Sequence, residues 1–529
     1  MVRNGALEQG GRSRWIALVG ISIASFVGCT DLTIVNTAIP QIQRGLAASL
    51  GQTQWVITVF VMALSAFLVL GGRLADHYGR RRVLYGGMLV FALASLGAGF
   101  AGSIGQLVLF RFVQGASTSV LYTASTAIVA DMFPEHERGR AIGIVSTGGG
   151  AGLALGPIAG GILVGLLEWR WVFFINVPFL VLSFALCLPR VPESRGAETG
   201  EGIDWWGAGL LISGLSCLLL ALSQGLDWGW TSPAILALFA AAAAILAIFT
   251  LVQHRGRSPL LPLDLLGNGR FLLVCLTTIC LGFFYAAALF LMPLYLAVAG
   301  GYDSFVTGLL LLPATALVAL VSPGVGRLAD STGPVPLLIA GLALLALSAG
   351  LQALFEVGSG LGLVIAAFSA MGLGWGCILG PSTVAALSSV APRLGGTAIG
   401  VSWTLHNVGG ALGLVLATLV YRLAADNAFE AAAGSLPAAA AGLADRVVSE
   451  PDRAAALLAG SGIEPVRAQD LAAGLFVAGY RASMILLLAV TLATVIALAW
   501  AALRWRKNAT VQPGATEGES AVLQECARS

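Results

Sequence analysis

Asp31 is a lone carboxylate inside a long apolar run, in the stretch Asp31-Leu-Thr-Ile-Val-Asn-Thr-Ala-Ile-Pro40. An acid placed in a membrane span costs about 2.5–3.5 kcal/mol on insertion scales, so such a residue is rarely an accident. The chemistry open to it is gain and loss of a proton. Its candidate partner is Arg111, near the start of a later apolar run. At about 1.5 Å of rise per residue, Asp31 lies roughly 24 Å along a helix beginning near Trp15. Arg111 lies about five residues into a helix running the other way, at a similar depth of a roughly 30 Å core. An apolar surround and a guanidinium act on a carboxyl's proton in opposite directions, so a motion that changes the Asp31–Arg111 distance changes proton affinity. A static ion pair joining two helices is the plainer alternative.

His406 and Asn407 fall about 14 Å into their apolar run, near its midplane, where polar side chains tend to line a cavity. His406 is either a second proton site or a hydrogen-bonded core histidine. Asn36, Gln114, Trp375, Trp403 and Asn407 are the residues expected to line a substrate cavity. Phe283, Phe284 and Tyr285 offer further aromatic contacts.

A third group sits between apolar runs. Gly71 to Val83 reads Gly-Gly-Arg-Leu-Ala-Asp-His-Tyr-Gly-Arg-Arg-Arg-Val, and six of its residues return at a constant spacing. Gly72, Arg73, Leu74, Ala75, Asp76 and Gly79 recur as Gly326, Arg327, Leu328, Ala329, Asp330 and Gly333. Such self-similarity marks an internal duplication. Glycines suit a short loop between antiparallel helices, and Asp76 beside arginines can make charge-assisted bonds to a neighbouring helix end. Gly72, Arg73, Asp76, Gly79, Arg80, Arg81 and Asp330 are therefore candidates for a gating loop. A purely topogenic basic loop would explain the arginines but not the paired Asp76 and Asp330.

The elements that must position these residues follow from composition. With 529 residues, 57% hydrophobic and 10% charged, and a mean hydropathy of +0.90, the chain is too apolar for a soluble protein, in which about 25% are charged. The net charge of +2 and the lack of a basic tract interleaved with aromatics give no reason to expect nucleic acid. Six of the seven cysteines lie in apolar runs and read as small buried hydrophobes; no metal site is expected. Fourteen spans of roughly 20 mainly apolar residues can be placed, near 15–39, 53–72, 83–102, 106–130, 140–166, 171–189, 205–224, 233–253, 270–298, 305–326, 335–354, 361–388, 397–422 and 478–503. Arginine and lysine concentrate in alternate loops, while the short loops on the other side hold only Arg44 and Arg170. The positive-inside rule then puts both termini and Gly71–Val83 in the cytoplasm.

Eight spans separate the two copies of the repeat, two more than a six-plus-six duplication needs. The expected plan is an all-α membrane protein with a six-helix bundle at 1–190, a linker and inserted helices seven and eight at 191–257, a second six-helix bundle at 258–503 with a long outer loop at 423–477, and a cytoplasmic tail at 504–529. The fifth span carries Gly148, Gly152, Gly156 and Gly160 at spacing four, with Pro157 and Gly161 beside them. That is a smooth stripe for close helix packing, with a proline-induced kink.

Gly71–Val83 resembles the loop signature of the major facilitator superfamily, and four further stretches are similar to its fourteen-helix drug:proton antiporter branch. They are Asp31–Pro40 in the first helix, Arg111-Phe-Val-Gln-Gly115 in the fourth, Gly152-Leu-Ala-Leu-Gly-Pro-Ile-Ala-Gly-Gly161 in the fifth, and Trp169-Arg-Trp-Val-Phe-Phe-Ile-Asn-Val-Pro178. The resemblance implies a major facilitator fold, coupling roles for Asp31 and Arg111, and an exchange-favouring role for Gly152, Gly156, Pro157, Gly160 and Gly161. It implies a non-enzymatic, proton-coupled antiporter that exports hydrophobic or amphiphilic drugs by alternating access. Protons serve as coupling ion with no other cofactor, and the protein is a monomer in the lipid of a bacterial inner membrane. His406 departs from the family pattern, in which Arg-Gln precedes the paired glycines. A proton-coupled symporter or facilitator for a small metabolite, and a non-transporting sensor or lipid-handling protein, share this architecture. The glycine and proline pattern of the fifth span stands against the first, and intact Asp31 and Arg111 against the second.

Overall fold

The structure is a computed structural model describing residues 2–194, 202–256, 259–261, 264–391, 394–433, 436–437, 440 and 442–511. Among the described residues there is no strand. Arg195, Arg257, Arg393 and Arg528, which enter the charge asymmetry above, lie outside them.

The first half comprises α1 (Val2–Gly45), α2 (Leu50–Tyr78), α3 (Arg80–Gly99), α4 (Ile104–Met132), α5 (Glu135–Leu166), α6 (Trp171–Phe174) and α7 (Asn176–Cys187). Then come α8 (Trp205–Trp228) and α9 (Pro233–Arg255), which pack on each other as a hairpin. The second half holds α10 (Asp264–Gly267), α11 (Gly269–Val298), α12 (Ser304–Thr332), α13 (Pro334–Ala353), α14 (Leu361–Ser388) and α15 (Gly395–Ala433). It ends with α16 (Ala444–Ser449), α17 (Ala454–Gly460) and α18 (Pro465–Val511).

Local chemistry sets the ends. Ser49 and Gln52 form a reciprocal capping box at α2, and Ser103, Asp204, Ser232 and Asp303 accept from backbone N–H groups at the starts of α4, α8, α9 and α12. The turns after α2 and α12 pivot on Gly79 (φ +107°) and Gly333 (φ +79°). Both copies of the repeat thus place glycine where a side chain would be strained.

Each expected span falls on helix, but only twelve described helices are long and apolar enough to cross a membrane. The two exceptions have physical causes. α4 carries Arg111, Gln114 and buried Ser117, Thr118, Ser119, Thr123 and Ser125, which lower its apolarity. The 171–189 span is split into α6 and α7 because Pro178 has no N–H to give the Phe174 carbonyl. The outer loop expected at 423–477 is also shorter. α15 continues to Ala433 and α18 begins at Pro465, and α16 and α17 pack between them on a small core that includes Phe429 and Leu458.

Two separate cores fill the first half, around Phe60, Phe91 and Phe133 and around Val56, Trp169 and Phe173. A third fills the second half, around Phe284, Tyr295, Phe368 and Tyr480. The halves meet along two seams, α5 against α12 and α2 against α15. α8 packs beside the second seam, on both α2 and α15. Outward-facing residues include Leu166, Trp206 and Leu320, 79%, 85% and 74% exposed. Apolar side chains this bare, on helices of membrane-spanning length, describe a multi-pass membrane protein.

Candidate functional site

Asp31 and Arg111 meet. Both are buried, at 0% and 1% exposed, and Arg111 Nη1 is paired with Asp31 Oδ2. Asn176 Nδ2 donates to Asp31 Oδ1 at 2.8 Å. Arg111 also donates from Nε to the Val56 carbonyl (3.0 Å) and from Nη1 to Gln114 Oε1 (3.2 Å), with its guanidinium 4.1 Å from the Phe60 ring centre. Gln114 Nε2 and Asn176 Nδ2 both donate to Ser95 Oγ, at 2.7 and 3.4 Å. α1, α2, α3, α4 and α7 thereby share one closed polar knot inside an apolar core.

A cavity of about 1210 Å³ lies between the halves. Cys29, Leu32, Thr33, Asn36 and Thr37 of α1 line it, as do Tyr122 of α4, Tyr285 of α11, Trp375 of α14, and Trp403, His406 and Asn407 of α15. Four of the five expected cavity residues are therefore on its wall. Gln114 is not: it is fully buried in the Asp31 knot. Phe283 and Phe284 are packed in the second-half core, whereas Tyr285 faces the cavity. His406 lines it too, with Nδ1 3.1 Å from the Thr278 carbonyl. α8 contributes Leu219, Leu222 and Ser223, so one helix of the α8–α9 hairpin forms part of the wall.

The glycine stripe of α5 seats on α1. A methyl group on Gly152 would meet the Phe26 carbonyl oxygen at 2.5 Å, and Gly156 and Gly160 close on Thr33 and Thr37. Pro157 lines the cavity. Gly161 is exposed with nothing near its Cα face, so it takes no part in that contact.

The repeated loops make two matching cross-half contacts. Asp76 Oδ2 accepts from Thr397 N (3.0 Å) and Thr397 Oγ1 (3.3 Å), and Oδ1 from Gly396 N (3.3 Å), at the start of α15. Asp330 Oδ1 accepts from Gly139 N (2.6 Å) and Oδ2 from Arg140 N (2.9 Å), near the start of α5. The backbone of Gly72 abuts Gly396, and that of Gly326 abuts Gly139, with no room for a Cβ in either. Arg80, 3% exposed, bridges Asp76 (2.8 Å) and Asp131 (2.7 Å). Glu193 accepts from Arg81 N (3.2 Å) and pairs with Arg82 (3.5 Å), while the Ser194 carbonyl accepts from Arg80 N (2.9 Å). The first residues of the linker are thus tied to the loop. Asn176, Ser95 and the Gly139/Arg140 and Gly396/Thr397 docking pairs were not among the expected residues. A signal existed for the last two: Ala141-Ile142-Gly143 returns as Ala398-Ile399-Gly400, which marks the docking sites as another repeated pair.

A sequence profile described as Major Facilitator Superfamily matches residues 21–414. The chain is 35% identical to the puromycin resistance protein pur8 of Streptomyces alboniger, over 83% of this chain and 88% of that one. It is 31% identical to the tetracenomycin C resistance and export protein of Streptomyces glaucescens, over 75% and 74% of the two. Among solved structures, the human organic anion transporter MFSD10 (TETRAN) superposes with a TM-score of 0.61 at 15% identity, covering 92% of this chain and 99% of that one.

Proposed function

Since this chain belongs to the Major Facilitator Superfamily, we propose that it is a proton-coupled antiporter exporting hydrophobic or amphiphilic drugs or antibiotics across a bacterial inner membrane by alternating access. The observation that carries the reading is the position of Asp31. It is sealed from water, held by Arg111 and Asn176, and shares α1 with cavity-lining Cys29, Leu32 and Thr33. Protonation removes the charge that holds Arg111, so the knot loosens within one helical turn of the cavity wall. His406 is the second proton site in this reading, because its imidazole lies on the cavity wall and has a second ring nitrogen besides the one at the Thr278 carbonyl.

The Asp76 and Asp330 contacts act as the gate. They bridge the halves only while the motif end is closed. With that end cytoplasmic, as the arginine distribution supports, the cavity of this closed-inside form is presented outward. Small-residue packing of α5 on α1 fits the suppression of leak that the family motif implies. Each inward proton supplies about 2.3 kcal/mol per 100 mV, which is enough for more than tenfold accumulation against a gradient.

The test is transport by purified protein in proteoliposomes under an imposed inward proton gradient, with puromycin, ethidium and Nile red as probes. Outward movement of a probe is expected. Inward movement would make the protein a symporter, and indifference to the gradient would remove proton coupling.

A further inference from the structure

The cavity carries no fixed charge. Among the described residues that line it there is no Asp, Glu, Lys or Arg. Asp31 is behind the wall, with Oδ2 on Arg111 and Oδ1 on Asn176. What the wall does hold is a run of rings reaching from one half to the other. Trp375 lies 4.2 Å from Tyr285, Tyr285 6.4 Å from His406, His406 5.0 Å from Trp403, and Trp403 6.4 Å from Tyr122, centre to centre. One polar atom of this frame is both buried and without a partner. Trp375, 5% exposed, has a buried Nε1 that makes no hydrogen bond. An indole N–H can only donate, and a buried donor without an acceptor is costly.

Building on the drug-export reading, we propose that this ring frame is a binding site for an uncharged, planar aromatic compound bearing a carbonyl or similar acceptor. A rotation of the Trp375 side chain that brings its buried Nε1 to the cavity it lines lets the acceptor take that proton, while the ring system lies against Tyr285 and Trp403. Flat aromatic ligands stack favourably on such rings in offset or edge-on geometry. A permanent cation fits less well on two counts. Ring faces attract cations, but no carboxylate is there to replace the water such an ion gives up. A cation also brings no acceptor to the orphaned donor. The cavity exceeds the roughly 300–1,000 Å³ of ordinary small-molecule pockets, so the frame occupies one region and leaves space for bulky substituents.

The experiment is equilibrium binding to the full-length protein in lipid nanodiscs, read by fluorescence with empty nanodiscs subtracted. Nile red is the uncharged carbonyl-bearing probe and ethidium the planar cation. Nile red is expected to bind at least about tenfold more tightly than ethidium. Trp375→Phe, which keeps a ring and removes the donor, should weaken Nile red about tenfold, the order of effect of one buried hydrogen bond, and ethidium by clearly less. Thermal unfolding of the variant in the same nanodiscs checks its fold, and the comparison of the two probes on the unaltered protein needs no variant. Ethidium binding as tightly as Nile red, or Nile red binding indifferent to Trp375→Phe in a folded variant, overturns the proposal. Binding requires no gradient. Proton-driven export of ethidium without Nile red binding would remove this site and keep the antiporter; Nile red binding without proton-driven movement would do the reverse.

Discussion

Replacing Asp31 by asparagine separates a coupling site from a strut. Arg111 keeps the Val56 carbonyl at 3.0 Å, Gln114 at 3.2 Å and the Phe60 ring at 4.1 Å, but loses the carboxylate it is paired with. Stranding one member of a buried pair costs about 3–5 kcal/mol. An asparagine oxygen can still accept from Arg111, so we expect Asp31→Asn near the lower end, about 3 kcal/mol. Exchanging both partners for neutral groups is close to neutral in other proteins. The double variant Asp31→Asn/Arg111→Met should therefore regain about 2–3 kcal/mol relative to Asp31→Asn. Thermal unfolding of the purified proteins measures that recovery, and proton-driven export in proteoliposomes is measured on the same preparations. The expected pattern is recovery of stability without recovery of export. If the double variant exports as the parent does, the pair only ties α1 to α4 and the coupling assignment is wrong.

Asp76→Asn should weaken the motif-end closure more than Asp330→Asn, because Asp76 is 3% exposed and its loss also unbalances buried Arg80. Spin labels at Tyr78 and Leu328, 49% and 47% exposed, should show the longer inter-half distance gaining about tenfold in population for Asp76→Asn, the effect of one charge-assisted bond; unchanged distances in both variants would refute the gate. Gly152→Ala forces a methyl to 2.5 Å from the Phe26 carbonyl, an overpacking cost of about 1–3 kcal/mol, and should lower unfolding temperature and admit proton leak in liposomes. His406→Gln keeps a donor for the Thr278 carbonyl and removes the titration. It should alter the dependence of export on pH, and an unaltered profile would take His406 out of the proton path.

Much of this was legible because membrane helices obey a simple ruler. A fixed rise per residue placed Asp31 and Arg111 at one depth, and the structure pairs them. The duplicated loops were legible as identities at constant spacing, and Asp76 and Asp330 do reach helix starts across the molecule. Helix rotation was harder. Gln114 was expected in the cavity, yet it is three residues after Arg111, and positions i and i+3 share a face; the face that holds Arg111 also holds Gln114. Asn176 was hidden for another reason. It sits 145 positions from Asp31, and only folding brings α7 against α1. Twelve of the fourteen expected spans are long and apolar enough to cross by that measure alone, and the other two are helix that is more polar, α4, or interrupted, α6 and α7.

The proposed proton site and gate are joined by backbone, not by a relay of side chains. α1 carries Asp31 on one side and turns Phe26, Thr30, Thr33 and Thr37 toward the glycines of α5. Where Gly148 and Gly152 meet the backbone of Ser22 and Phe26 there is no intervening side chain to change rotamer and absorb a shift, so displacement of α1 is passed to α5. α5 in turn begins with the Gly139 and Arg140 amides that hold Asp330. A movement that starts when Arg111 is released therefore reaches the inter-half contact through two stiff rods in close register. On the proposed reading, the glycine stripe has a mechanical reason to be smooth, and a bulkier residue there is expected to uncouple protons from opening without touching either carboxylate.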